Sequence, residues 1–222
     1  MPVKNRIKSY AEGAVYHIYS RGLDEREVFV DEADFLKYES ILKEYLEGKI
    51  ETKFKERPYI VKRKEEMNLK QEVVLLAYCL MPTCLHLLVR QNDERGITKL
   101  MRRVGTTYVM YFNKRHGRRG QLFDGTYKAV KVDSKNQIVH LTRLIHLKPG
   151  ISITRRFGPV ATTSAMLPEQ YLYSSWQKKS WVASEEVKKI WREVHDDHDS
   201  FENWVSDQKV NSWEVVGELM ME

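Results

Sequence analysis

Apolar and polar residues change period several times along this chain, and each change predicts an element. Val15-Tyr16-His17-Ile18-Tyr19 alternates, is rich in β-formers and stops at Ser20-Arg21-Gly22, which predicts a strand and a turn. Asp31 then stands as a helix N-cap before Phe35, Tyr38, Leu42 and Tyr45 at helical spacing, with Gly48 as the stop. Val73 to Leu80 and Leu85 to Val89 are near-continuous apolar runs parted by Met81-Pro82-Thr83, as expected of two central strands buried on both faces. Farther on, Ile97, Leu100, Met101, Val104, Tyr108, Tyr111 and Phe112 share one side of a predicted helix, while Lys99, Arg102, Arg103, Lys114 and Arg115 lie largely on others. After the turn His116-Gly117-Arg118-Arg119-Gly120, Tyr127 to Val132 reads as a strand. Ser134 caps a helix to about Lys148, where Pro149-Gly150 is expected to end it. Strand, helix, strand, strand, helix, strand, helix is the order of an α+β ferredoxin-like sandwich with a central antiparallel sheet.

This core spans residues 1–150. Within it, 49–71 breaks the pattern with 8 Lys or Arg and 4 Glu around Pro58, a basic insertion between core elements. Residues 151–180 read as irregular and 181–222 as an acidic helical extension bearing Trp181, Trp191, Trp204 and Trp213. The net charge of +6 hides a strong asymmetry: 90–135 carries 12 basic against 4 acidic residues, and 181–222 carries 4 against 11. A phosphate-bearing partner is drawn to the first block, unless the two blocks neutralise each other within one fold. No run of eighteen apolar residues and no apolar stretch behind the initial cations supports a membrane span or secretory signal, so a soluble, cytoplasmic protein is expected. Cys79 and Cys84 are too few for a disulfide framework and are expected to be reduced.

Five segments in order carry a resemblance: YHIYSRG at 16–22, LMPTCLHLLV at 80–89, YFNKRHGRRGQLFDGTYKAVKVDS at 111–134, LIHLKP at 144–149 and YLYSSW at 171–176. Together they resemble the IS200-like, one-tyrosine (Y1) transposases associated with repetitive extragenic palindromes, a branch of the HUH endonuclease superfamily. The resemblance implies a strand carrying His-hydrophobic-His, whose i and i+2 side chains point to one face about 6.6 Å apart and can share a divalent ion. It also implies a tyrosine on the last core helix that attacks a DNA phosphodiester, and an Asn or Gln one turn later that completes the metal site.

Carried onto this chain, the pattern departs at three chemical positions. The first histidine is Cys84, and only His86 remains. The nucleophile position is Leu144, and the metal-binding amide position is Lys148. Leucine cannot attack phosphorus, thiolate is a poor ligand for Mg²⁺ or Mn²⁺, and an ammonium repels a cation. The resemblance thus implies a cleavage-deficient relative with no cofactor, and Mg²⁺ or Mn²⁺ only if another site works. Lys148 admits two readings: a phosphate anchor in place of the ion, or a lysine favoured by a helix C-terminus. Tyr108, Tyr111 and Tyr127 are read as core or DNA-facing rather than as substitute nucleophiles. A Zn²⁺ site at Cys79, Cys84 and His86 lacks a fourth ligand. His17, His140 and His146 read as structural.

For nucleic acid, the candidate contacts are Arg21, Arg90, Arg102, Arg103, Lys114, Arg115, Arg118, Arg119, Lys128 and Lys131, interleaved with aromatic side chains suited to stacking. The implied ligand is single-stranded or hairpin DNA, and nothing in these residues excludes RNA. Three roles follow from this reading: a domesticated binding module, an active transposase with a rearranged site, or an adaptor whose 181–222 tail binds a protein partner. Relatives act as monomers or homodimers, and either fits.

Overall fold

A computed structural model describes residues 10–47, 67–157, 168–177, 179–195, 200–207 and 211–216. Strand β1 (Val15–Arg21) leads into helix α1 (Glu32–Glu47), the hairpin β2 (Val73–Met81) and β3 (Cys84–Gln91), helix α2 (Gly96–Arg115), strand β4 (Lys128–Val132) and helix α3 (Lys135–Phe157). Short helices α4 (Ser184–Val194), α5 (Phe201–Ser206) and α6 (Ser212–Val216) follow. The sheet is antiparallel throughout, in the order β2-β3-β1-β4, so the α+β sandwich expected from the hydrophobic pattern is the observed fold.

Local chemistry explains the element starts. The Asp34 amide donates to Asp31 Oδ1 at 3.2 Å, and the Gln137 amide to Ser134 Oγ at 3.1 Å, so both predicted N-caps satisfy otherwise unpaired helix donors. Gly22 closes the turn after β1 because a Cβ there would lie 2.0 Å from the Arg26 carbonyl oxygen. The predicted stop at Gly48 and most of the basic insertion, 49–66, lie outside the described residues.

Two apolar layers flank the sheet. Phe35, Tyr38, Ile41 and Leu42 of α1 and Leu100, Val104, Tyr108 and Phe112 of α2 pack on Ile18, Leu85, Leu87 and Val89. On the other face, Leu141, Leu144 and Ile145 of α3 pack with Leu88, Cys79 and Cys84, and Trp191, Phe201, Trp204 and Val216 of the tail join the same cluster. The described parts of the acidic extension are thus built into the core.

Two expectations need correction. β2 is not central: β3 and β1 occupy the middle, and β2 is continuous in apolar character because helices cover both its faces. Its outer edge is closed by 171–175, where the Leu80 amide donates to the Tyr173 carbonyl at 2.9 Å and the Tyr78 amide to Ser175 Oγ at 2.9 Å. Nor does Pro149 end the last core helix, which runs to Phe157. A proline removes only its own bond to the carbonyl four residues back, and later amides can still pair. Among the described residues no helix is long and apolar enough to cross a membrane.

Candidate functional site

Directly paired residues in an antiparallel ladder share a face. The register Tyr19↔His86↔Cys79, with Arg21↔Cys84↔Met81 one step along, therefore places Tyr19, Cys79, Cys84 and His86 under α3. His17, two residues before Tyr19, completes the face. His86 is wholly buried, its ring parallel to those of His17 (centroids 5.2 Å apart) and Tyr19 (6.0 Å). His17 Nε2 and His86 Nδ1 lie 2.9 Å apart. One nitrogen must donate and the other accept, so the pair cannot be doubly charged in this arrangement.

Leu144 projects from α3 into this layer with 2% of its surface exposed, in one cluster with Cys79, Cys84 and Leu88. Lys148, one turn on and half-buried, acts electrostatically on Cys79: burial pushes that thiol well above its usual range, Cys84 adds to the rise, and the Lys148 ammonium opposes it. Because α3 continues more than two turns beyond Lys148, this lysine is not at a helix C-terminus, and the dipole explanation for it falls. Tyr171 closes the group, its hydroxyl donating to the Leu80 carbonyl and held above its usual pKa by burial and the two neighbouring thiols. The fold thus gathers the four positions matched to the catalytic set, and adds His17, Tyr19 and Tyr171, whose roles here the sequence reading missed. The period-2 parity of YHIYSRG was the available signal for the first two.

The donor chemistry does not fit a hard divalent ion. Around Leu144 it consists of one imidazole already engaged by His17, the thiols of Cys84 and of Cys79, the latter raised by burial, and an ammonium. Among the described residues no three His, Cys, Asp or Glu side chains are arranged to hold a metal. The tyrosines weighed as substitutes lie on the opposite face: Tyr108 donates to the Val28 carbonyl at 2.5 Å, Tyr111 to that of Ala33 at 3.3 Å, and Tyr127 accepts from Tyr10 at 3.2 Å. His140 and His146 are buried structural groups, on Ser212 Oγ (3.0 Å) and Ser175 Oγ (2.8 Å), and burial lowers their pKa values to about 4 and about 3.

The candidate nucleic-acid contacts divide sharply. Arg115 forks onto Asp31 and buried Asp34, each at 2.7 Å, and His116 lies 3.0 Å from Asp34. Its fork holds the Asp31 carboxyl below the usual range. Arg103 donates to the Met67 carbonyl, Arg90 pairs with Glu186, and Lys131 with Asp133 at 2.9 Å. These side chains pin the fold or are already neutralised. Lys128 sits 5.6 Å above the Tyr19 ring and Arg118 5.8 Å from that of Phe112. Arg21, half-buried, ends β1 beside Cys84. Arg102, Lys114 and Arg119 are exposed and form no ion pair among the described residues.

Comparison with known proteins places this geometry. The family model described as "Transposase IS200 like" matches residues 36–147, half of the 222-residue chain. A solved structure of a REP-associated tyrosine transposase bound to a REP hairpin is similar at TM-score 0.49 and 10% identity, over 78% of this chain and 83% of that one. No curated protein matches. The hairpin β2–β3, helix α2, strand β4 and most of the Leu144-bearing turn of α3 fall inside the matched span, and on that match the chain belongs to the IS200-like transposase family.

Proposed function

We propose that this chain is a domesticated, cleavage-deficient member of its family that binds single-stranded or hairpin DNA in the cytoplasm. The observation that carries the reading is Leu144: the nucleophile position holds a hydrocarbon packed into the core beside two thiols, with an ammonium where the metal-binding amide would stand. No nucleophile there can open a phosphodiester, and the surrounding donors repel or ignore the ion that would activate one. Binding is supported separately by the exposed cations Arg102, Lys114 and Arg119 on and just after α2. Lys148 supplies one further positive charge at the former centre and holds a phosphate there.

The test is incubation of the purified chain with labelled single-stranded hairpin DNA and Mg²⁺ or Mn²⁺, followed by denaturing electrophoresis and a native shift assay. A shift without a denaturation-resistant adduct is expected. A covalent adduct overturns the cleavage-deficient reading and directs attention to Tyr19, whose ring stacks 6.0 Å from that of His86, and to Tyr171, on which both thiols act.

A further inference from the structure

A cleft of about 900 Å³ opens between α2 and the 120–127 loop, on the sheet face opposite the Leu144 centre. Its floor includes Ser20 and Leu85, and its apolar walls are formed by Met101, Val109, Met110, Leu122, Phe123 and Tyr127. The size falls within the roughly 300–1,000 Å³ typical of ligand clefts. Thr98, Thr106, Gln121 and Thr126 add neutral hydrogen-bonding groups; the one charged lining residue is Arg102, and none is a carboxylate. Arg119 precedes Gly120 on the loop rim and is exposed. An apolar, partly aromatic slot with amide and hydroxyl edges and cations at its mouth is complementary to a flat heterocycle attached to phosphates.

We propose that this cleft holds unpaired nucleobases of the bound DNA, with the flanking phosphates on Arg102 and Arg119. The proposal rests on the DNA-binding reading above and assigns it a place. It also joins the two faces of the sheet. β4 is an edge strand; Tyr127, just before it, lines the cleft, whereas Lys128 stands over Tyr19 at the former catalytic centre. A strand leaving the cleft thus passes around β4 and meets Lys128 on the other side, one residue along the chain.

Gly105 offers a specific block. It lies within α2 and lines the cleft, and a Cβ built on it meets no atom within 4 Å. Gly105→Leu fills the cleft while favouring the helix. Met110→Glu, at a residue 68% exposed, adds a carboxylate at the wall without touching the core.

The probes are a fluorescent DNA hairpin with a 5′ single-stranded extension and the same hairpin with abasic sites throughout that extension. Wild-type protein is expected to bind the abasic probe at least about tenfold more weakly, in line with base–aromatic stacking. Both variants, folded by circular dichroism, should bind the intact probe only as tightly as wild type binds the abasic one. Variants that bind the intact probe like wild type, or a wild type that ignores the abasic change, overturn the cleft proposal and leave DNA binding standing. Failure of wild type to bind either probe overturns the DNA-binding reading and the cleft with it.

Discussion

Leu144→Ala measures how much the Leu144 side chain contributes to the core. Leu144 is 2% exposed, on the face of α3 that meets Cys79, Cys84 and Leu88, with Leu141 and Ile145 beside it. Truncation of a fully buried leucine costs about 2–5 kcal/mol, the upper part applying where the walls cannot collapse. Here the walls are strands of a four-stranded sheet and a 23-residue helix, both fixed by backbone ladders, so about 3 kcal/mol is expected. Alanine and leucine are similar helix formers, so propensity offsets only a few tenths of this. At roughly 2–4 °C per kcal/mol for a chain of this size, the melting temperature should fall by about 6–12 °C. Urea unfolding followed by far-ultraviolet circular dichroism reads the free energy, and hairpin-DNA affinity of the folded variant should not change. A loss below about 1 kcal/mol would refute the claim that this position now serves packing, since no buried leucine with rigid walls behaves so.

Other consequences are as direct. Lys148→Ala should weaken hairpin-DNA binding and lower the magnitude of the salt slope by about one, measured by titration at several salt concentrations; an unchanged slope removes Lys148 from the phosphate path. Arg119→Ala should weaken binding at all salt concentrations below physiological, whereas Arg90→Ala should leave affinity unchanged because Glu186 already neutralises Arg90, and should cost only about 0.2–1 kcal/mol of stability. Burial lowers the folded-state pKa of His140 to about 4 from a usual 6.5, so its contribution to stability is complete above pH 6.5 and is lost as pH falls toward 4. The urea midpoint should drop across that window, and less steeply in His140→Gln; equal slopes would show that His140 does not govern it.

The elements most legible in the sequence were those whose side chains repeat with the geometry they adopt. The stripe from Ile97 to Phe112 became the buried face of α2, and YHIYSRG became β1. Where a local signal misled, a non-local contact decided. Continuous apolar character placed β2 in the middle of the sheet, yet its outer edge is closed by 171–175, more than ninety residues away in sequence. Pro149 reads as a terminator, but a helix packed along its length tolerates one missing bond. In the site, Cys84, His86, Leu144 and Lys148 were located by motif, whereas the partners of His86 were not: that His17 lies 2.9 Å away depends on the β1–β3 register, which no single segment encodes. Arg115 looked like its neighbours Lys114 and Arg118, and only the approach of α1 to the end of α2 commits it to Asp31 and Asp34.

The opposed charges of the chain show why placement outweighs totals. Among the described residues, the acidic extension reaches only two cations of the basic block, pairing Glu186 with Arg90 and Glu193 with Lys135. Its helices pack on the α3 side of the sheet, while Arg102, Lys114 and Arg119 lie on or beside α2 across it. A helix layer and a sheet are each about 10 Å thick, and exposed charges more than about 8–10 Å apart are largely screened at physiological salt. Among the described residues, no carboxylate of the tail pairs with Arg102, Lys114 or Arg119. Leu144 is thus buried on one face of the sheet, while the exposed cations Arg102, Lys114 and Arg119 lie on or beside α2 on the other.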